Sequence, residues 1–200
     1  MTVQRSVTAR DNANAGYSTA VGTTGVTLLI LTGAQPANCA TADSGTALAT
    51  LSLPTNPLGA SSAGVISKSG TWSGTASATG TAGYYRIKAS GGAVQEQGTV
   101  GTSSTANTSA TTAAHGAVLT FASAPAGIVV GQTISGTGVA AGTIVESISG
   151  ATIVMSKVST AGVGSAVTIT FGFDMNIDNV SIASGQTVTI SSYSVTAADA

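Results

Sequence analysis

The sequence predicts an all-β protein, and three observations carry that. β-Branched Thr and Val recur in short runs, and such residues favour extended backbone. Twenty-six glycines are spread through the 200 residues, and each costs about 1 kcal/mol inside a helix. Short runs rich in Val, Ile and Leu alternate with Gly, Pro and Ser turns, the pattern of short antiparallel strands. The hydrophobic fraction, 42%, is ordinary and allows a core, although much of it is Ala and only 4% is aromatic.

Taken in order, residues 1–25 are polar and small. Ala9–Ala20 reads either as a short helix, weakened by Gly16 and its Asn residues, or as an extended N-terminal arm. Val26–Leu31 is a strand apolar enough to be buried on both faces. Gly33–Gly45 is a loop around Pro36. Leu48–Leu53 alternates, with Leu48, Leu51 and Leu53 as its large members and one slip of phase, and it ends at Pro54 and Pro57. Gly64-Val65-Ile66 begins another strand. Ser69–Gly83 is small-residue filler around the only tryptophan, Trp72. The strongest hairpin follows. Tyr84–Lys88 places Tyr85 and Ile87 on one face and Tyr84, Arg86 and Lys88 on the other. Ser90-Gly91-Gly92 turns the chain, and Val94–Gly101 returns with Glu96 expected opposite Arg86 or Lys88.

At Thr102 the character changes. Thr102–Thr112 has no large side chain and reads as a linker. Short strands then recur at Ala117–Phe121, Gln132–Gly136, Thr143–Ile148, Thr152–Met155 and Ala166–Phe171, the signature of a small sandwich or barrel. Ile177–Ile182 and Val188–Val195 close the chain as strands, joined by a turn at Ser184-Gly185-Gln186.

Charge narrows the function. Lys and Arg number six and Asp and Glu seven, only 6% of the chain against roughly a quarter in ordinary globular proteins. Gly, Ala, Ser and Thr make up more than half. Such a surface suits fixed contact with other protein better than solubility by charge. The six cations are scattered, so no basic patch serves nucleic acid. The longest fully apolar run, Leu28–Leu31, is far below the roughly 20 residues that span a bilayer, so no membrane partner is expected. It also sits too late behind Arg5 and Arg10 for a cleaved leader, and none is expected.

Motifs for chemistry are weak. His115 is the only histidine and makes neither a histidine metal site nor a triad. Cys39, the only cysteine, has no activating partner in view and reads as a small half-buried side chain. Asp174-Met175-Asn176-Ile177-Asp178-Asn179 starts like a calcium loop, but Asn179 and Gly185 stand where Gly and Glu belong, and a strand with polar residues on one face explains the spacing. The glycines of Gly131–Gly142 lack the Lys-Ser/Thr of a phosphate loop. No enzyme, cofactor or metal is expected. Arg10, Tyr84, Tyr85 and Arg86 are the candidate interface residues, since the few aromatics and cations are the natural packing anchors.

One ordered set of short pieces is familiar: Leu28-Leu29-Ile30-Leu31-Thr32-Gly33, Pro36-Ala37, Ser44-Gly45-Thr46, Leu48-Ala49, Gly80–Ile87, Gln97–Gly101 and Ile182–Ile190. This order resembles a family of small virion structural proteins of tailed bacteriophages, some similar to β-rich capsid cement (decoration) proteins. In shorter relatives the piece like Gly98–Gly101 is soon followed by one like Asn176–Asn179. The resemblance therefore implies a discontinuous β-sandwich base domain, residues 1–102 plus 173–200. An inserted, outward-facing β-sandwich or barrel of residues 103–172 would have its junctions close together, since insertion at a loop costs little closure entropy. It implies a homo-oligomer, a trimer in the simplest case, on the capsid surface of a virion assembled in the host cytoplasm. The major capsid protein and neighbouring copies would be the partners. The alternative is a tail or fibre component whose inserted domain binds a host glycan or receptor.

Overall fold

The computed structural model describes residues 4–197 and is all-β apart from one helix. In chain order the elements are α1 (Val7–Val21), β1 (Thr27–Thr32), β2 (Ala47–Ser52), β3 (Val65–Ser67), β4 (Ser73–Thr75), β5 (Gly80–Lys88), β6 (Val94–Gly101), β7 (Ser104–Asn107) and β8 (Val118–Thr120). They continue with β9 (Thr133–Ser135), β10 (Thr143–Ser149), β11 (Thr152–Met155), β12 (Thr168–Gly172), β13 (Met175–Ile177), β14 (Ser181–Ile182) and β15 (Thr187–Thr196). The chain divides into two units, Met1–Thr102 with Asp174–Ala200, and Ser103–Phe173.

In the first unit the strands run β2-β1-β5-β6-β13-β15-β3, with β14 also on β5 and β4 also on β15. An isolated bridge joins Ala49 of β2 to Ala76 just after β4, so the sheet folds over on itself. Its inner face encloses a core that includes Leu28, Ile30, Leu48, Leu51, Trp72, Tyr85, Ile87 and Tyr193. The phase slip in β2 coincides with a register shift between Ile30 and Leu31 in its pairing with β1. β6 and β13 pair in parallel, Val100 with Met175 and Gly101 with Asn176. Parallel neighbours need a long connection, and residues 103–173 are that connection. Chain exit and return are thereby adjacent within this unit.

β1 is covered on both sides. Leu28 and Ile30 face the core, while Leu31 lies across from Tyr84 and Leu29 from Arg86 on the outer face. Leu31 is also buried. Gly83 explains how tightly that region closes. A Cβ there would sit 2.1 Å from the Gly33 carbonyl oxygen. Gly83→Ala must push β5 away from the start of the loop, and a loss of about 2–3 kcal/mol is expected in urea denaturation followed by Trp72 fluorescence.

In the second unit the order is β7-β12-β9-β10-β11-β8. A bridge from Thr108 to Phe121 links the two outer strands and closes the sheet. Leu119, Phe121, Ile134, Val145, Ile153, Met155, Val163, Ile169 and Phe171 fill the interior.

Several expectations change. The stretch expected as a linker holds β7, paired with β12 from Ser104–Phe171 to Asn107–Thr168. A ladder is made by backbone groups, so small side chains did not prevent it. Ser69–Gly83 likewise contains β4 and the start of β5. Ile177–Ile182 is two strands, because Asn179 folds the chain between them by accepting from the Ser181 N–H and donating to the Ser181 carbonyl. The N-terminal alternative resolves to a helix, begun by Ser6, whose hydroxyl caps the Ala9 N–H at 3.2 Å.

Candidate functional site

Three polar networks of the first unit hold most of its chemistry. The first lies on the outer face of β5 and β6. The strand period puts Tyr84 and Arg86 there, and residues 33–46 fold over them. Arg86, 1% exposed, donates through Nη1 to the Thr41 carbonyl at 2.7 Å and to Asp43 Oδ1 at 2.8 Å. Its Nη2 donates to Gln97 Oε1 at 2.7 Å and the Asn38 carbonyl at 3.2 Å. Gln97 in turn donates to the Pro36 carbonyl at 2.6 Å, and the Tyr84 hydroxyl to the Ser44 carbonyl at 2.6 Å. A planar five-donor fork suits such a set of fixed acceptors. Lys88 Nζ reaches Asp43 Oδ2 at 2.6 Å. That bond foremost, with Arg86 adding, holds the Asp43 carboxyl below the usual carboxylate range. Beside this network an open cleft of about 560 Å³ is lined by Cys39–Asp43, Arg86, Lys88 and Gly92–Val94.

The second network lies on the opposite face of the hairpin. The register sets Glu96 against Ile87, not Arg86 or Lys88. The expected cross-strand ion pair is therefore absent. Side chains of directly opposed residues share a face, so Glu96 points where Tyr85 and Ile87 point. Its carboxylate accepts from the Tyr85 hydroxyl and, through both oxygens at 2.8 Å, from the Tyr193 hydroxyl. Tyr17 of α1 joins at 2.6 Å from Tyr193 Oη. Tyr193 also packs edge-on against Tyr85 at 6.0 Å and tilted against Trp72 at 5.3 Å between ring centres. Burial first, and the Glu96 charge second, push all three phenols well above the usual tyrosine value.

The third network seats α1. Asp11 Oδ1 accepts from the Ser61 hydroxyl at 2.6 Å and the Gly64 N–H at 2.8 Å. Asn14 Nδ2 donates to Ser61 Oγ and the Gly64 carbonyl, both at 2.9 Å.

The sequence candidates fall differently from expectation. Tyr84, Tyr85 and Arg86 are at most 1% exposed. Tyr85 points into the core, and Tyr84 and Arg86 on the other face are covered by residues 33–46, so all three brace the unit. Arg10 is half-buried, its stem and Nε within 3.2 Å of where a Gly64 Cβ would stand. Cys39 is half-buried. His115 sits exposed in a left-handed turn at φ 62°. In the calcium-like stretch, Asp174 Oδ2 accepts from the Thr99 N–H and hydroxyl at 2.8 and 2.9 Å, and Asp178 Oδ1 from the Thr189 N–H at 3.2 Å. These acids lock strands to one another. Among the described residues no three His, Cys, Asp or Glu side chains gather as a metal site, and no helix is long and apolar enough to cross a membrane.

Sequence reasoning missed Asp43, Gln97, Asp11 and Asn14. Asp43 was legible only as an acid in a loop, and nothing local ties it to Arg86, which stands 43 residues away.

The second unit has a different surface. Its sequence carries only Glu146 and Lys157 as charged residues, and Lys157 Nζ bonds the Ala141 carbonyl at 2.9 Å. Of the seven exposed large apolar side chains among the described residues, six are here, led by Val130 at 62% and Val129 at 50%. Comparison with known proteins finds no matching family model, no matching curated protein and no matching solved structure.

Proposed function

We propose that the chain is a bacteriophage virion structural protein, a capsid cement protein that lies across the joints between major capsid subunits. The observation that carries this reading is where the few charges go. Asp11, Asp43, Glu96, Asp174 and Asp178 all accept bonds from their own unit, and Lys68, Arg86, Lys88 and Lys157 all donate within theirs. Ionisable groups here work as internal braces. What faces outward is rich in Ser, Thr, Gly and Val, with few charges among them, such as Glu146, Lys157, Asp174 and Asp178. A surface with few charges pays less desolvation on contact with protein. Many weak contacts repeated on a fixed lattice then add without new chemistry. Neighbouring copies of the chain, arranged as a trimer, complete the partner set, and no catalytic step is assigned. Particles assembled without the protein should rupture at lower temperature, or under milder osmotic shock, than complete ones. Equal shell stability with and without it overturns the reading.

One observation favours the alternative of a tail or fibre component that binds a host receptor. The exposed Val118, Val129, Val130, Ile144, Ile148 and Val158 concentrate in the second unit. A sugar-stacking platform has less support there, because Phe121 and Phe171 pair with each other in the core, 5.8 Å between centres. Labelled protein that binds host cells or a glycan array, with particle density at the tail, selects this alternative. Density confined to the head excludes it.

A further inference from the structure

α1 is attached in an unusual way. A surface helix normally buries an apolar stripe, yet only Asn14 and Val21 of its 15 residues are buried. The face toward the unit is set by Asp11, Asn14 and Tyr17, spaced three apart and polar at their tips, with Val21 entering the core at the helix's end. Its seat is the Ala63-Gly64 turn, a two-residue hairpin with reciprocal bonds between Ser62 and Val65, both at 2.9 Å. Both turn residues are left-handed, φ 53° and 80°, as such a turn requires. Asp11 takes the Gly64 N–H and Asn14 the Gly64 carbonyl, so the helix reads both backbone groups of one residue.

The far end of the helix stops at a glycine. Gly22 follows the helix at φ 93° and ψ 172°, a conformation that suits glycine. The next residue belongs firmly to the body, with the Thr23 carbonyl accepting from the Asn56 N–H at 2.8 Å. Val21, the last residue of the helix, belongs to the core and the Tyr17 ring packs against it, yet the polar network under Tyr17 does not need it. If Tyr17 leaves, Tyr193 still donates to Glu96 and Glu96 still accepts from Tyr85.

We propose that α1 is a releasable latch, held to the Ala63-Gly64 turn by Asp11 and Asn14, so that it leaves as far as Tyr17 while the sheet stays folded. The inference is independent of the function proposed above. Release as far as Tyr17, with Val21 left in the core, exchanges a handful of hydrogen bonds for water and uncovers one ring, a smaller change than unfolding that core. Acid is the lever. The Ser61 hydroxyl first, then the Gly64 N–H, hold the Asp11 carboxyl below its ordinary range, with a contribution from Arg10 on the same helix. The hairpin from Ser61 to Ser67 carries no ionisable side chain, and Glu96 meets the helix only through Tyr17 and Tyr193. The clamp is at full strength above the carboxylate's unfolded value, about pH 4, and weakens as pH falls through the lower folded value.

Amide hydrogen exchange on the full chain, corrected for intrinsic rates, tests this. From pH 7 to about pH 2.5, protection of α1 amides should fall relative to that of β5 amides. In Asp11→Asn the fall should vanish, while β5 amides, which sense Asp43, change alike in both chains. Asn14→Ala should expose α1 at pH 7 and leave β5 protected, which also guards against a folding failure of the first variant. Two results overturn the latch. One is α1 and β5 exchanging with a single common free energy in every chain and at every pH. The other is an acid response of α1 that persists in Asp11→Asn.

Discussion

Arg86→Ala is expected to destabilise the first unit by about 3–5 kcal/mol, the range for breaking a buried, paired charge. The guanidinium is 1% exposed and serves four acceptors: the Asn38 and Thr41 carbonyls, Asp43 Oδ1 and Gln97 Oε1. Truncation leaves these part-buried acceptors without their shared donor, and each adds a desolvation cost to the extent that water from the neighbouring cleft does not replace it. Residues 33–46 are held mainly by such polar ties, with those of Tyr84, Lys88 and Gln97, because their own side chains are mostly small and exposed. Arg86→Lys should recover only part of the loss, since one ammonium cannot reach a fork of acceptors. Asp43→Asn should cost less than Arg86→Ala, because the Asp43 side chain is 32% exposed and water screens it. Trp72, the only tryptophan and itself buried, reports unfolding of this unit by fluorescence. An Arg86→Ala variant within 1 kcal/mol of the parent would show that the loop does not depend on this bracket.

The second large effect lies at alkaline pH. Tyr17, Tyr85 and Tyr193 stay protonated in the folded state far beyond their usual range, because burial and the Glu96 charge both oppose a phenolate. In the unfolded chain each ionises near pH 10. A raised folded value means that the stabilisation is whole below about pH 10 and is lost as pH climbs above it. Each phenol then removes about 1.4 kcal/mol per pH unit, and three act together. The unit should therefore unfold cooperatively within roughly two pH units above 10. Absorbance of phenolate at 295 nm and far-ultraviolet circular dichroism should change in one transition. Smooth ionisation of these tyrosines near pH 10 with the sheet intact would refute the cluster as described.

Legibility followed the range of the interaction. The strands of the Tyr84–Lys88 hairpin, β1, β10, β11 and β15 were readable, because alternation of large and small side chains is local. Even the two faces of β5 were readable, with Tyr85 and Ile87 inward and Tyr84 and Arg86 outward. β4 and β7 were not, since Ser, Thr, Gly and Ala leave no amphipathic trace and their ladders rest on backbone alone. α1 stayed ambiguous for a related reason. Its docking is polar and depends on Ser61 and Gly64, some 50 residues away.

By itself, then, the chain's composition and period determined an all-β protein with little charge to spare for chemistry. Those are properties of each residue and its near neighbours. Only the tertiary structure decided which acid meets which partner: Asp43 with Arg86 and Lys88, Glu96 with three tyrosines, Asp11 with a turn, Asp174 with Thr99. The reason is register. A shift of one residue in a strand pair turns every side chain to the other face, and what sets the register is packing across the whole sheet.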